Sequence, residues 1–163
     1  MRLAFLSLAD RLHRVTGAVC LGLMLIMLSA QVAVVILRYV FAVGFLELQG
    51  VVNYAFAVLV MLGIPVALRL DKHVRVDVFR RLQSSAVAKR FDHAGIVLLL
   101  IPVFCLTLSY VMPDIIYSWS IAEGAIETGG LPGYFLVKTA LPVACVLMVI
   151  QGVAVLIGAG DGA

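Results

Sequence analysis

The sequence predicts an all-α integral membrane protein with four transmembrane helices, and three observations support this fold class. Four stretches of 20 to 23 residues contain no Asp, Glu, Lys, Arg or His, namely residues 15–37, 48–68, 94–113 and 139–160. A helix rises about 1.5 Å per residue, so about 20 residues cross the hydrocarbon core of a bilayer. The chain is also 64% hydrophobic and 13% charged, whereas soluble domains carry about 25% charged residues. We therefore expect a single membrane domain over residues 1–163.

The first charge-free stretch follows a basic segment that contains Arg2, Arg11 and Arg14. This order is typical of a secretory signal peptide, but the apolar run of 23 residues is longer than the usual core of about 7–15 residues. No clean A-x-A cleavage site follows it. We therefore expect this stretch to be retained as the first transmembrane helix.

The Lys and Arg residues between the stretches predict the orientation of the chain. The segment before the first helix has three and residues 69–93 have seven, whereas residues 38–47 contain only Arg38 and residues 114–138 only Lys138. Because basic residues favour the cytoplasmic side, this ten-to-two distribution predicts that both termini lie in the cytoplasm. The ends of the helices near Arg38 and Lys138 are then on the outer side.

The central basic segment is predicted to form an amphipathic helix on the inner lipid surface. At 100° per residue its apolar side chains gather on one side and basic side chains lie opposite. An ordinary solvated loop is the alternative. Nucleic-acid binding is not indicated, because the orientation rule already accounts for the basic residues and no aromatic residues alternate with them. The residues concerned are Val74, Val78, Phe79 and Leu82 on the apolar side, with Arg80 and Arg81 on the polar side.

Polar residues inside the four stretches are uncharged, which bears on function. Gln31, Asn53 and Gln151 are candidates for buried polar packing between helices, an interaction typically worth less than about 1 kcal/mol. A direct substrate or ion site is the alternative interpretation. Ionisable residues at membrane depth usually mark transport pathways or proton relays, and the stretches contain none.

Catalysis is not indicated by the sequence. There is no phosphate-binding loop, nucleophile elbow or metal-ligand spacing, and Cys20, Cys105 and Cys145 are isolated. His13 and His93 lie near the ends of the stretches, where they would not face each other across a haem. We expect neither enzyme activity nor a cofactor nor a bound metal.

Four short motifs occur in order along the chain. Residues 38–41 (RYVF) close helix 1, residues 47–49 (ELQ) open helix 2, residues 72–77 (KHVRVD) follow helix 2, and residues 129–132 (GGLP) precede helix 4. Together they resemble the small, Q-type membrane subunit of tripartite ATP-independent periplasmic (TRAP) transporters, over about residues 10–157. The second and fourth motifs are similar to the branch associated with mannitol, chloroaromatic compounds or 2-oxo acids.

The chain departs from this family pattern at the start of helix 2. Many members carry a Trp before two Glu there, whereas this chain has Phe45 and the single acid Glu47. Gly50 also occupies a position where the subfamily often has an aromatic residue. Any role of the missing Trp or second acid is therefore not transferred to this chain.

The resemblance implies a multi-pass protein of the bacterial inner membrane with two protein partners. These are a large multi-helix membrane subunit that carries the substrate and sodium sites, and a periplasmic substrate-binding protein. The small subunit would act as a scaffold for transport of organic acids and contact membrane lipids. A self-contained, homo-oligomeric transporter or channel is the alternative.

Four polar residues are candidates for contacts at the outer interface. Arg38 follows helix 1 and Glu47 precedes helix 2, so we expect them to lie near each other or near charges of a partner subunit. Gln49 and Lys138 are further candidates for contacts with the partner there.

Overall fold

The computed structural model describes residues 2–69, 91, 93–125 and 130–158. This part of the chain forms four long helices that we label α1 (Arg2–Val40), α2 (Leu46–Arg69), α3 (His93–Ser120) and α4 (Tyr134–Gly158). Each is long and apolar enough to cross a membrane. The predicted all-α fold with four transmembrane helices is confirmed. The predicted amphipathic helix, with Val74, Val78, Phe79, Leu82, Arg80 and Arg81, lies outside the described residues.

The helices extend further than the charge-free stretches. Helix α1 begins at Arg2 rather than near residue 15, α3 continues to Ser120, and α4 begins at Tyr134. The difference has a simple cause, because a charge-free stretch marks only what can lie in hydrocarbon. Backbone hydrogen bonds continue past that boundary, where charged side chains are hydrated. Helix α3 therefore continues for about two turns beyond Pro113.

Helix α4 lies at the centre of the bundle. It packs against both α2 and α3, whereas α1 packs mainly on α2, and α3 mainly on α4. Leu62 of α2 meets Ala144 and Leu147 of α4 in the hydrophobic core. Many of the buried positions on α4 are small, and small residues let helix backbones approach closely where lipid provides no hydrophobic driving force.

Helix α3 begins with a π-helical segment, Ile96–Leu100. The N–H of Ile101 donates to the carbonyl of Ile96, five residues earlier, and Pro102 follows. Proline has no N–H and its ring clashes with the carbonyl four residues before it, so a wider turn here accommodates the proline. Gly152 of α4 lies close to this segment. A Cβ added at that position would be only 2.9 Å from Leu100 Cδ2.

Gln151 links α4 to the N-terminal part of α1. Its side chain is almost fully buried, and Nε2 donates to the carbonyl oxygen of Ala9 at 3.0 Å. Nearer the C-terminal end of α4, the Arg2 guanidinium donates to the carbonyl of Ile157 at 2.5 Å. Carbonyls at a helix C-terminus lack partners within the helix. Two polar contacts thus fix α1 against α4 at the end of the bundle that is predicted to face the cytoplasm.

Candidate functional site

A cluster of charged and polar side chains lies where α3 ends and α4 begins, on the predicted outer side. Lys138 Nζ is 2.8 Å from Glu123 Oε2 and 3.2 Å from Asp114 Oδ2. The hydroxyl of Ser118, which is fully buried, donates to the same Glu123 oxygen. Lys138 thus pairs with two carboxylates, and it is not available as an isolated cation for an anionic substrate.

The end of α3 brings Glu123 into this cluster. Ala122 adopts a left-handed conformation with φ of 48°, and its N–H donates to the carbonyl of Trp119. The N–H of Glu123 donates to the carbonyl of Ser118 at 3.0 Å. These two bonds form a Schellman motif, which reverses the chain at a helix C-terminus. The reversal places the Glu123 side chain beside Ser118 and opposite Lys138, one turn into α4.

Aromatic side chains surround the charged cluster. Trp119 Nε1 donates to Thr139 Oγ1 at 3.0 Å, and its ring meets Phe135 edge to face with centroids 4.7 Å apart. Lys138 Nζ lies 5.6 Å from the centroid of the Tyr134 ring, within the range of a cation–π interaction. Trp119 is the single tryptophan of the chain, so its fluorescence reports on the contact between α3 and α4.

The cluster favours the ionised form of Glu123. Hydrogen bonds from Lys138 and then Ser118 lower the pKa of this carboxyl below its ordinary value, and these effects exceed the opposing effect of desolvation. Because the pKa is lower in the folded state, the interaction contributes stability above the pKa of an unfolded Glu. That contribution is lost as the pH falls through the folded-state pKa.

We predict that Glu123→Gln removes an acid-induced change at this end of the bundle. In the unsubstituted chain the fluorescence of Trp119 should stay constant from neutral to mildly acidic pH. It should change below the ordinary pKa of Glu, when Glu123 is protonated. In the Glu123→Gln variant that transition should be absent, whereas Glu47→Gln, remote from the cluster in sequence, serves as the control. An identical acid transition in all three proteins would contradict this assignment.

The segment between α3 and α4 is held against α2. The Tyr54 hydroxyl donates to the carbonyl of Leu131 at 2.7 Å, and the N–H of Ala125 donates to the same oxygen at 3.1 Å. Gly50, one turn before Tyr54, permits this approach because a Cβ there would lie 3.0 Å from Leu131 Cδ1. The departure from the family pattern at Gly50 therefore has a structural reason, since an aromatic ring would displace Leu131.

A crevice of about 490 Å³ lies between α2 and this segment. Gln49 and Asn53 contribute amide groups to its lining, and Ala57, Leu131 and Tyr134 contribute apolar and aromatic surface. The crevice adjoins the charged cluster through Tyr134, the ring near Lys138.

Some of the candidate residues lie in the cluster or line the crevice, whereas others, within the described part of the chain, make no polar contact with one another. Lys138 is at the centre of the cluster, and Gln49 and Asn53 line the crevice. In the described part of the chain, Arg38 and Glu47 form no salt bridge with each other. Gln31 and Asn53 are both exposed and share no hydrogen bond.

Sequence reasoning missed Asp114, Ser118 and Glu123. A signal was present, because Lys138 is the single basic residue of residues 114–138 and Asp114 and Glu123 fall in the same segment. Charges of opposite sign on one connecting segment favour an ion pair. Within the described ranges, no three His, Cys, Asp or Glu side chains are grouped as metal ligands.

One comparison with known proteins gives a match. A family model described as "Tripartite ATP-independent periplasmic transporters, DctQ component" matches residues 24–159, which include the C-terminal part of α1 and all of α2, α3 and α4. No curated protein and no solved structure matches the chain.

Proposed function

The chain belongs to the DctQ component family of tripartite ATP-independent periplasmic transporters, and on this premise we propose that it is a non-catalytic scaffold subunit. It would support a larger, sodium-coupled membrane subunit that transports organic acids such as 2-oxo acids. A periplasmic binding protein would deliver the substrate, and the complex would reside in the bacterial inner membrane. The family membership itself makes the chain a component of a transporter and a multi-pass membrane protein.

The packing of the bundle interior carries this proposal. Among the described residues, the buried polar side chains are Thr16, Ser118 and Gln151, and none of them is ionisable. The remaining core is apolar and built from close contacts of α4 with its neighbours. Coupled transport usually requires ionisable or ion-coordinating groups at membrane depth. An interior of this kind supports a fixed scaffold better than a pathway for solute.

We further propose that the outer cluster gives the binding protein a rigid contact surface. Helix α3 projects about two turns beyond the charge-free stretch and carries exposed Ile116, Tyr117 and Trp119. Tyr and Trp are enriched at the energetic centres of protein interfaces. Lys138, Glu123 and the Schellman motif hold these turns in place. Preorganisation of this kind reduces the entropic cost of binding.

Co-purification tests the scaffold proposal. When the affinity-tagged chain is co-expressed with the large membrane subunit, we expect the two to elute together from a size-exclusion column after mild detergent extraction. An unrelated four-helix membrane protein with the same tag is the control. Elution of the chain as a homo-oligomer, with the large subunit left behind, would reject the proposal and favour a self-contained transporter or channel.

Orientation has a direct test in intact cells. After replacement of the native cysteines, a cysteine at Ala125 should react with a membrane-impermeant thiol reagent added outside. A cysteine at Ser84 should react only after the membrane is permeabilised. The expectation follows from the ten-to-two distribution of Lys and Arg. Labelling with the opposite pattern would place both termini outside.

A further inference from the structure

One face of α2 is left uncovered by the rest of the described chain. Apart from Glu47, which is also exposed, the exposed residues of this helix are spaced three or four positions apart and therefore form a single stripe. The other sides of α2 pack against α1 and α4. The stripe consists of Leu46, Gln49, Asn53, Phe56, Val60 and Ile64.

Two residues of the stripe are poorly suited to lipid. The side chains of Gln49 and Asn53 are exposed and make no hydrogen bond within the described residues. Asn53 lies five residues inside the outer end of its charge-free stretch, at a depth of roughly 8 Å. Lipid tails offer no hydrogen-bond partner, so an amide there is costly unless protein covers it.

The exposed face of α3 is a useful contrast. Its polar residues are satisfied by their own helix, because Thr107 Oγ1 donates to the carbonyl of Val103 and Ser109 Oγ to that of Leu106, both at 2.8 Å. Leu99 and Leu106 are both about two-thirds exposed. This face is compatible with lipid, whereas the α2 stripe requires a polar partner.

We propose that the α2 stripe is the surface on which a transmembrane helix of the larger subunit packs. That helix would place a hydrogen-bonding side chain or an exposed carbonyl in the crevice, within reach of Gln49 and Asn53. Towards the inner end, Gly63 has no atom within 4 Å of its Cβ position, which permits close approach of a helix backbone.

This inference rests on the proposed function, and site-specific photo-crosslinking separates the two. A benzophenone amino acid replaces Phe56 on the α2 stripe or, as a matched control of similar exposure, Leu106 on α3. Both variants are co-expressed with the large membrane subunit and irradiated in native membranes. We expect an adduct with the combined mass of the two subunits from position 56 and only lipid adducts from position 106.

The other outcomes of the crosslinking experiment distinguish failure of this inference from failure of the proposed function. Lipid adducts or dimers of this chain from position 56 would overturn the inference, as would capture of the large subunit from position 106 instead. In the last case the scaffold function would stand. If the unsubstituted chain does not retain the large subunit at all, the proposed function itself fails.

Variants at Asn53 provide a second readout. Asn53→Leu should weaken association with the large subunit by about 3-fold, and by no more than about 20-fold, as is typical of hydrogen bonds between membrane helices. Asn53→Gln keeps the amide and should retain more of the affinity. The measurement is the fraction of large subunit that stays on the immobilised chain during serial dilution. Equal retention by Asn53→Leu and the unsubstituted chain would contradict a polar contact at this position.

Discussion

Proteoliposomes that contain this chain alone are expected to accumulate no carboxylate above the protein-free background when a sodium gradient is imposed. The four charge-free stretches contain no ionisable residue, and ionisable side chains at membrane depth usually provide the coupling site. The described interior is apolar apart from three uncharged polar side chains. Uptake should appear when the large membrane subunit and the binding protein are added. The assay is accumulation of radiolabelled carboxylates, including 2-oxo acids.

The controls in this assay separate a required subunit from a passive one. Omission of each component in turn should return uptake to background, and replacement of sodium by potassium should do the same. Sodium-driven uptake by the small subunit alone would reject the scaffold function. Full uptake by the other two components without it would show that the scaffold is dispensable. The second result would leave the family membership intact, because that membership rests on residues 24–159.

The sequence predicted the four helices because the bilayer imposes a simple requirement on them. Every backbone polar group in hydrocarbon must be satisfied internally, so a charge-free stretch of about 20 residues has few alternatives to a helix. The same requirement ends at the membrane boundary. It therefore gave no information about residues 114–120, which continue α3 into the region where the outer cluster forms.

The charged cluster of Lys138, Glu123 and Asp114 depends on the Schellman motif at the end of α3, which could not be predicted from the sequence. A Schellman motif usually carries Gly in its left-handed position, and here that position is Ala122 with φ of 48°. Without a Gly signal, the return of Glu123 to Ser118 is not predictable from residue spacing. Gly50 is a similar case, since its role depends on contact with Leu131, which is 81 residues away in sequence.

Substitution of Gly152 by Leu is expected to destabilise the packing of α3 on α4. A Cβ at this position would lie 2.9 Å from Leu100 Cδ2 and 3.4 Å from Ile96 Cγ2. The larger side chain would push α3 away from α4, its main neighbour. Overpacking of this kind typically costs about 1–3 kcal/mol. Denaturant unfolding in mixed micelles, followed by Trp119 fluorescence, measures the change.

Two further variants test whether the loss of stability in Gly152→Leu comes from the steric clash or from helix propensity. In Gly152→Ala the closest contact is the end of a flexible leucine side chain, so a small shift suffices. Its cost should be nearly offset by the gain of up to about 1 kcal/mol when Ala replaces Gly in a helix. Gly22→Leu, at a position with no atom within 4 Å of its Cβ, gives the same kind of change in helix propensity without the clash and should not destabilise.

Shortening the side chain of Leu100 should relieve the clash and restore part of the lost stability. In the double variant Gly152→Leu with Leu100→Ala, the cavity left by one leucine receives the other, so the loss of stability should be smaller than the sum of the single losses. Coupling energies between residues in direct contact are typically about 0.5–3 kcal/mol. Additive losses would mean that Gly152 does not set the separation of α3 and α4. Rescue would show that this glycine positions α3 on α4, and through α3 the last turns that carry Trp119 and lead into Glu123.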